Sequence, residues 1–257
     1  MSGLRVEGLA VAFGQRSVLR AVTLAPLQPG TLTAVIGPNA AGKSTLLRAI
    51  AGLSPLHAGA VFVGNTRIDR LGLRHRARYV RYVPQVYATS ARLAVGDAVL
   101  VAARAGNPTA ARREGDRAVA RTLARTGIAD LVDRLVCDLS GGQQQLVALA
   151  QGLVSPAPVL LLDEPTSALD LRNQLEALHL VRSAARDDGI AVAMALHDLS
   201  LAARYADRVI LLSHGSVAAD GSAAAVVGDD ACGAAYGVQL TATTSPSGAL
   251  LIEASLP

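Results

Sequence analysis

One short segment constrains this chain more than any other. Gly37-Pro38-Asn39-Ala40-Ala41-Gly42-Lys43-Ser44 has the spacing G-x-x-x-x-G-K-S and stands between two runs of different period. Before it, Thr33-Ala34-Val35-Ile36 is apolar and β-prone; after it, Thr45-Leu46-Leu47-Arg48-Ala49-Ile50 is patterned as a helix. A glycine-rich turn from strand into helix points backbone N–H groups and a helix N-terminus at one place, which favours an anion there. In that setting the spacing predicts a phosphate-binding loop formed by Gly37, Asn39, Ala40, Ala41, Gly42, Lys43, Ser44 and Thr45. Lys43 would contact the β- and γ-phosphates of a nucleotide and Ser44 would ligate Mg²⁺. A glycine-rich turn with a solvent-facing lysine is the other reading. Composition bears on the choice. Among 24 basic residues Lys43 is the sole lysine. A chain that uses arginine everywhere else keeps a compact ammonium where a planar guanidinium does not fit.

A second element lies far downstream. Pro158-Val159-Leu160-Leu161-Leu162 is a continuous apolar run, expected of a strand buried on both faces of a parallel sheet. It ends in Asp163-Glu164. Adjacent carboxylates at the end of a buried strand need partners, and that end is where open α/β sheets bind ligands. Asp163 fits a Mg²⁺-associated carboxylate and Glu164 a general base acting on water. A helix-capping acid pair is the competing reading.

The chain has 257 residues, 51% hydrophobic and 17% charged, which excludes a disordered, solvating chain. Aromatics are 3% with no Trp, and net charge is +4, which argues against a nucleic-acid partner read by base stacking. The long uncharged windows at 21–42 and 141–162 contain Pro, Gly and Gln, so no transmembrane helix is expected. The opening MSGLRVEGLA has no apolar signal region, and Cys137 and Cys232 stand far apart, so a non-exported chain with two reduced thiols is expected.

Between the two halves of the site lies Leu139-Ser140-Gly141-Gly142-Gln143. Together with the phosphate loop and the Asp163-Glu164 strand, it is similar to the ATP-binding subunits of ABC transporters. Further motifs of that family follow in order. Gln85 matches the Q-loop glutamine, Ser167-Ala168-Leu169-Asp170 the D-loop, and His197 the switch histidine. Phe13 matches the aromatic that stacks on adenine. The resemblance implies ATP and Mg²⁺ as ligands, with Glu164, His197 and Gln85 catalytic and Ser44, Gln85 and Asp163 at the metal. It also implies that Ser140, Gly141, Gly142, Gln143 and Asp170 complete the site of a second copy. Gln144–Ala150, Pro165–Gln174 and Ala195–Asp207 look most like the branch that imports iron–siderophores, haem and cobalamin, and Tyr236-Gly237-Val238 agrees. The implied partners are a second ATP-binding subunit, a polytopic permease dimer and, indirectly, an extracytoplasmic binding protein, with the chain on the cytoplasmic face of the membrane. Two departures stand out. Ala40 replaces a usual glycine, which restricts the loop backbone. Gln144, Gln145 and Gln151 alter the helix after the signature.

The expected fold is α/β. A P-loop NTPase (RecA-like) core carries an antiparallel β-subdomain (Arg5–Phe13 and Leu19–Leu24) and an inserted helical subdomain. One nucleotide-binding domain is expected over 1–237, with its core at about 1–84 and 151–226 and the helical part at about 85–150. The helices expected there are Gly96–Arg104 and Arg112–Gly127, separated by Asn107-Pro108. A short extension, 227–257, would end in a strand at Ala249–Ile252. His57, His75, His179 and His214 match no motif and are expected in solvent. Arg67, Arg70, Arg74, Arg76, Arg78 and Arg81 are expected on a solvated helix rather than in a nucleic-acid or lipid-headgroup patch.

Overall fold

The computed structural model describes residues 3–85, 92–106, 112–155, 157–246 and 250–257. Asn107-Pro108 and Ala249 lie outside the described residues. The chain opens with β1 (Leu4–Phe13) and β2 (Arg16–Leu27), an antiparallel pair. Then come β3 (Leu32–Ile36), the phosphate-loop segment and α1 (Lys43–Ala51). Next are β4 (Ala58–Val63), β5 (Thr66–Arg67), α2 (Leu73–Arg76) and β6 (Val80–Val83). Three helices follow: α3 (Val95–Gly106), α4 (Arg112–Arg125) and α5 (Gly141–Leu153). β7 (Val159–Asp163), α6 (Leu171–Asp188), β8 (Ala191–Ala195) and α7 (Leu199–Tyr205) return the chain to the core. It closes with β9 (Arg208–Ser213), β10 (Ser216–Gly221), α8 (Ala223–Val227), α9 (Asp230–Tyr236), β11 (Gln239–Thr244) and β12 (Leu250–Ser255).

The main sheet has the order β10-β9-β3-β8-β7-β6, parallel from β9 to β6 and antiparallel only at β10. A second, antiparallel sheet runs β2-β1-β4-β5. Every residue of β3, β7 and β8 is buried, which explains their unbroken apolar sequences. Alternate side chains serve opposite faces. Val35, Leu161, Ala193 and Ile210 pack with α1 and the antiparallel sheet. Ala34, Leu160, Leu162, Met194 and Leu211 pack with α5, α6 and α7. A third cluster, Val95, Val99, Leu123, Val147 and Val154, joins α3, α4 and α5. α5 therefore faces two cores, with Leu149 in one and Val147 in the other.

Helix starts follow capping chemistry. Ser140 and Gln143 form a reciprocal capping box at α5, and the carboxylates of Asp170 and Asp198 accept N–H bonds at the starts of α6 and α7. The glutamines after the signature hold this region together: the Gln144 amide donates to the carbonyls of Val136 and Leu139, and that of Gln151 to Ala98 O.

The arginine cluster departs from the expectation. Its only helix is the four-residue α2, and Arg76 and Arg81 are buried. The Arg76 Nε donates to Ile68 O at 2.8 Å, and an Arg81 amine donates to Ala102 O at 3.2 Å. Burial holds both guanidinium pKa values below the ordinary arginine value. Arg70, Arg74 and Arg78 are exposed, as are the four histidines outside the motifs. Both cysteines are free thiols, Cys137 exposed and Cys232 buried.

Leu161 is fully buried in β7 next to the candidate site. Leu161→Ala should lower unfolding free energy by about 2–5 kcal/mol, read as a drop in the urea midpoint.

Candidate active site

The loop after β3 is shaped by backbone angles few residues adopt. Gly37 has φ 144° and Gly42 φ 107°, while Ala40 takes φ 62° despite its Cβ. α1 then begins without a side-chain cap and without an acidic residue in its first turn. Its first N–H groups therefore remain available to an anion. The Lys43 ammonium lies under the loop, donating to Gly37 O at 2.7 Å and Pro38 O at 3.1 Å, with the residue 5% exposed. Burial lowers its pKa, and the charges of Glu164 and Asp163 oppose that shift.

Asp163 closes β7 and is fully buried. Its Oδ1 accepts from Ser44 Oγ at 2.8 Å and its Oδ2 from the Tyr82 hydroxyl at 2.9 Å. Arg48 donates through Nε to the Tyr82 hydroxyl at 3.0 Å and places an amine 3.8 Å from Oδ2. Burial is the main cause that pushes the Tyr82 phenol up to about 12, so Tyr82 remains a donor.

Glu164, the next residue, turns the chain with φ 51°. Its Oε2 accepts from Gln85 Nε2 at 2.5 Å, and its Oε1 meets His197 Nε2. Its backbone N–H donates to Ala195 O at 3.2 Å. Two segments distant from Glu164 in sequence, at Gln85 and at His197, thus converge on its carboxylate. A cleft of about 440 Å³ has Asn39, Ala40, Ala41, Gly42, Lys43, Ser44 and Thr45 on one side and Gln85, Glu164 and His197 on the other.

Other expected residues do not line this cleft. Phe13 ends β1 with 52% exposure, opposite Arg16 in the β-register. Ser140, Gly141, Gly142 and Gln143 open α5, and Asp170 caps α6. These two turns touch: a Cβ on Gly142 would lie 3.2 Å from Ala168 O. Sequence reading missed Arg16 and Val18, which also line the cleft, and Tyr82 and Arg48, which hold Asp163. Arg16 lies three positions after Phe13 and had no motif to mark it. Tyr82 was visible only as a hydroxyl in a short apolar strand.

Residues 21–167 match the family model described as ABC transporter. The chain belongs to the ABC transporter family. It is 39% identical over 255 residues to the cobalamin import ATP-binding protein of Halobacterium salinarum, an alignment covering 99% of this chain but 64% of that relative. The chain therefore spans less than two thirds of that relative's length. The hemin import ATP-binding protein of Streptomyces coelicolor is 42% identical over 248 residues, covering 95% of this chain and 87% of the relative. Among solved structures, a bacterial ABC transporter cassette determined as a dimer aligns with TM-score 0.79 at 25% identity, over 86% of this chain and 98% of the cassette.

Within this family member, the left-handed Ala40 is the strained point of the loop. Ala40→Gly should relieve about 1 kcal/mol of backbone strain. The melting temperature should rise by about 2–4 °C, measured by scanning calorimetry.

Proposed function

We propose that the chain is the ATP-hydrolysing subunit of a membrane importer of metal chelates, of the iron–siderophore, haem or cobalamin kind. The observation that carries the hydrolytic part is Glu164, held between Gln85 and His197 across the cleft from Lys43. The nucleotide phosphates lie against the loop amides and the start of α1, and Lys43 balances their charge. A water between Glu164 and the terminal phosphorus attacks in line and gives its proton to the Glu164 carboxylate. The bond from that phosphorus to the bridging oxygen breaks, releasing ADP and phosphate. His197 holds the terminal phosphate and Gln85 orients the water.

The donor set suits Mg²⁺. Ser44 Oγ and Asp163 Oδ1 are hard oxygen donors 2.8 Å apart. Ser44 and Asp163 would hold the ion through one hydroxyl and one carboxylate, a donor set of the kind Mg²⁺ prefers. Bound there, the ion supplies charge neutralisation on the phosphates. Gln85, the third expected ligand, donates its amide nitrogen to Glu164 and keeps a carbonyl oxygen as a donor.

Phe13 stacks on the adenine in this reading, its exposed ring fitting that role. Two copies of the subunit enclose ATP between the loop of one and the Ser140–Gln143 turn of the other. The position of that turn outside its own cleft and the dimeric cassette support this arrangement. Among the described residues no helix is long and apolar enough to cross a membrane. In this reading a permease supplies the pathway, and the subunit works at the cytoplasmic face. A groove between α1, α2, β6 and α3 displays Leu53, Leu73 and Val101, each more than half exposed. It suits a cytoplasmic segment of that permease. The cargo assignment rests on the cobalamin and hemin import relatives, and an extracytoplasmic binding protein delivers the chelate.

Glu164→Gln should still bind Mg-ATP while turnover falls by about 10²–10⁴-fold. Size-exclusion chromatography should then show dimers only with ATP; a monomer with bound ATP would refute the shared site. Lys43→Arg should lose turnover, because the guanidinium is too wide for a loop whose carbonyls lie 2.7 and 3.1 Å from the ammonium. Deleting the gene should impair growth on chelated iron, and the Glu164→Gln copy should not restore it. Normal chelate uptake in a strain with no redundant system would remove the cargo assignment alone.

A further inference from the structure

Gly37 is held on three sides. A Cβ there would lie 2.1 Å from Leu212 O of β9, so the backbone lies directly against its neighbouring strand. Its carbonyl accepts the Lys43 ammonium. Its N–H points out of the strand ladder and donates to the Tyr236 hydroxyl at 2.8 Å, a contact across 199 positions of sequence. The phosphate loop therefore begins on a residue anchored by the C-terminal part of the chain.

The placement of Tyr236 is itself built. α9 starts on the Asp229 carboxylate, which accepts from the Ala231 N–H. It ends at Gly237, in the left-handed region at φ 69°, with Val238 N–H donating back to Gly233 O at 3.1 Å. A Cβ at Gly233 would lie 2.7 Å from Val238 O, so this turn requires glycine at that position. Between those ends Cys232 is fully buried in the core beneath α6 and α7, and the Tyr236 ring packs against the same cluster. Tyr236 is thus a rigid arm whose hydroxyl reaches the first residue of the loop. Burial pushes its phenol up to about 12, which keeps the hydroxyl neutral across the physiological range.

We infer that Tyr236 is a positioning residue for the phosphate loop: by fixing the Gly37 N–H it sets the Gly37 carbonyl, and through it the Lys43 ammonium, for nucleotide binding. This rests on the ATP-site reading above. The effect belongs to binding rather than to chemistry, because Tyr236 has no contact with Glu164, Gln85 or His197 among those described.

The test is Tyr236→Phe in the full chain, which keeps the ring and removes only the oxygen. Losing one hydrogen bond that orients the loop should raise the KM for ATP about 3–10-fold, with kcat within about twofold of wild type. Hydrogen exchange in the peptide spanning Ile36–Asn39 should quicken, because the Gly37 amide loses its acceptor, while the melting temperature changes little. An unchanged KM overturns the inference, whatever the melting temperature does. A raised KM without faster exchange at Gly37 also overturns it. Lys43→Ala separates the two readings: if wild type and Lys43→Ala bind ATP equally poorly, the ATP-site reading fails and takes this inference with it. If wild type binds, Lys43→Ala does not, and Tyr236→Phe matches wild type, only the role of Tyr236 falls.

Discussion

The buried carboxylate of Asp163 is the interaction on which the site depends. A carboxylate with no exposure is stable in a protein interior only when hydrogen bonds replace its water. Here Ser44 comes from the start of α1 and Tyr82 from β6, and each gives one O–H to a different oxygen. Ser44 and Asp163 are 119 positions apart, so this contact joins the phosphate loop to β7. Arg48, one helical turn beyond Ser44, donates to the Tyr82 hydroxyl and so closes the arrangement between α1 and β6. The ends of β3, β6 and β7 are thereby held at one level, and the cleft opens above them.

Asp163 and Glu164 are adjacent in sequence but occupy different environments. Asp163 stays in the extended run of β7, its oxygens enclosed by fixed donors. Glu164 adopts φ 51°, which turns the chain out of the strand while its N–H still reaches Ala195 O. Its oxygens then meet Gln85 and a half-exposed His197 at the mouth of the cleft. An enclosed carboxylate and an accessible one arise from one dipeptide because a single backbone angle separates them.

What the sequence made legible follows from how completely each element is buried. β3, β7 and β8 read as unbroken apolar runs because both of their faces are covered. β2 was expected at Leu19–Leu24 but runs Arg16–Leu27, since its outward residues, Arg16 and Arg20 among them, interrupt the pattern. The terminal hairpin was harder. Only a strand at Ala249–Ile252 was expected, whereas β11 and β12 pair through largely exposed positions with little apolar alternation. Arg76 and Arg81 were expected in solvent; their acceptors, Ile68 O and Ala102 O, are backbone atoms that no side-chain pattern displays. The motif residues were read by spacing and resemblance, and Gln85, Glu164 and His197 do converge. Tyr82, Arg48 and Tyr236 act through contacts that span 34 to 199 positions, which spacing cannot reveal.

The four-residue strand β6 shows how a small element can connect two functions. Successive side chains of a strand point to opposite faces. Tyr82 faces the phosphate loop and donates to Asp163. Arg81, its neighbour, faces away and donates to Ala102 O of α3, while also lining the groove that carries Val101. Two positions beyond its end, Gln85 reaches Glu164. Within Arg81–Gln85 the chain therefore contacts the helical unit, the buried carboxylate of Asp163 and the carboxylate of Glu164. Arg81 is anchored to α3 on one side and Tyr82 to β7 on the other, and Gln151 of α5 makes a second tie to α3 through Ala98 O. Burial of the Arg81 guanidinium gives its contact with α3 weight: without Ala102 O it would lose its acceptor in a buried position.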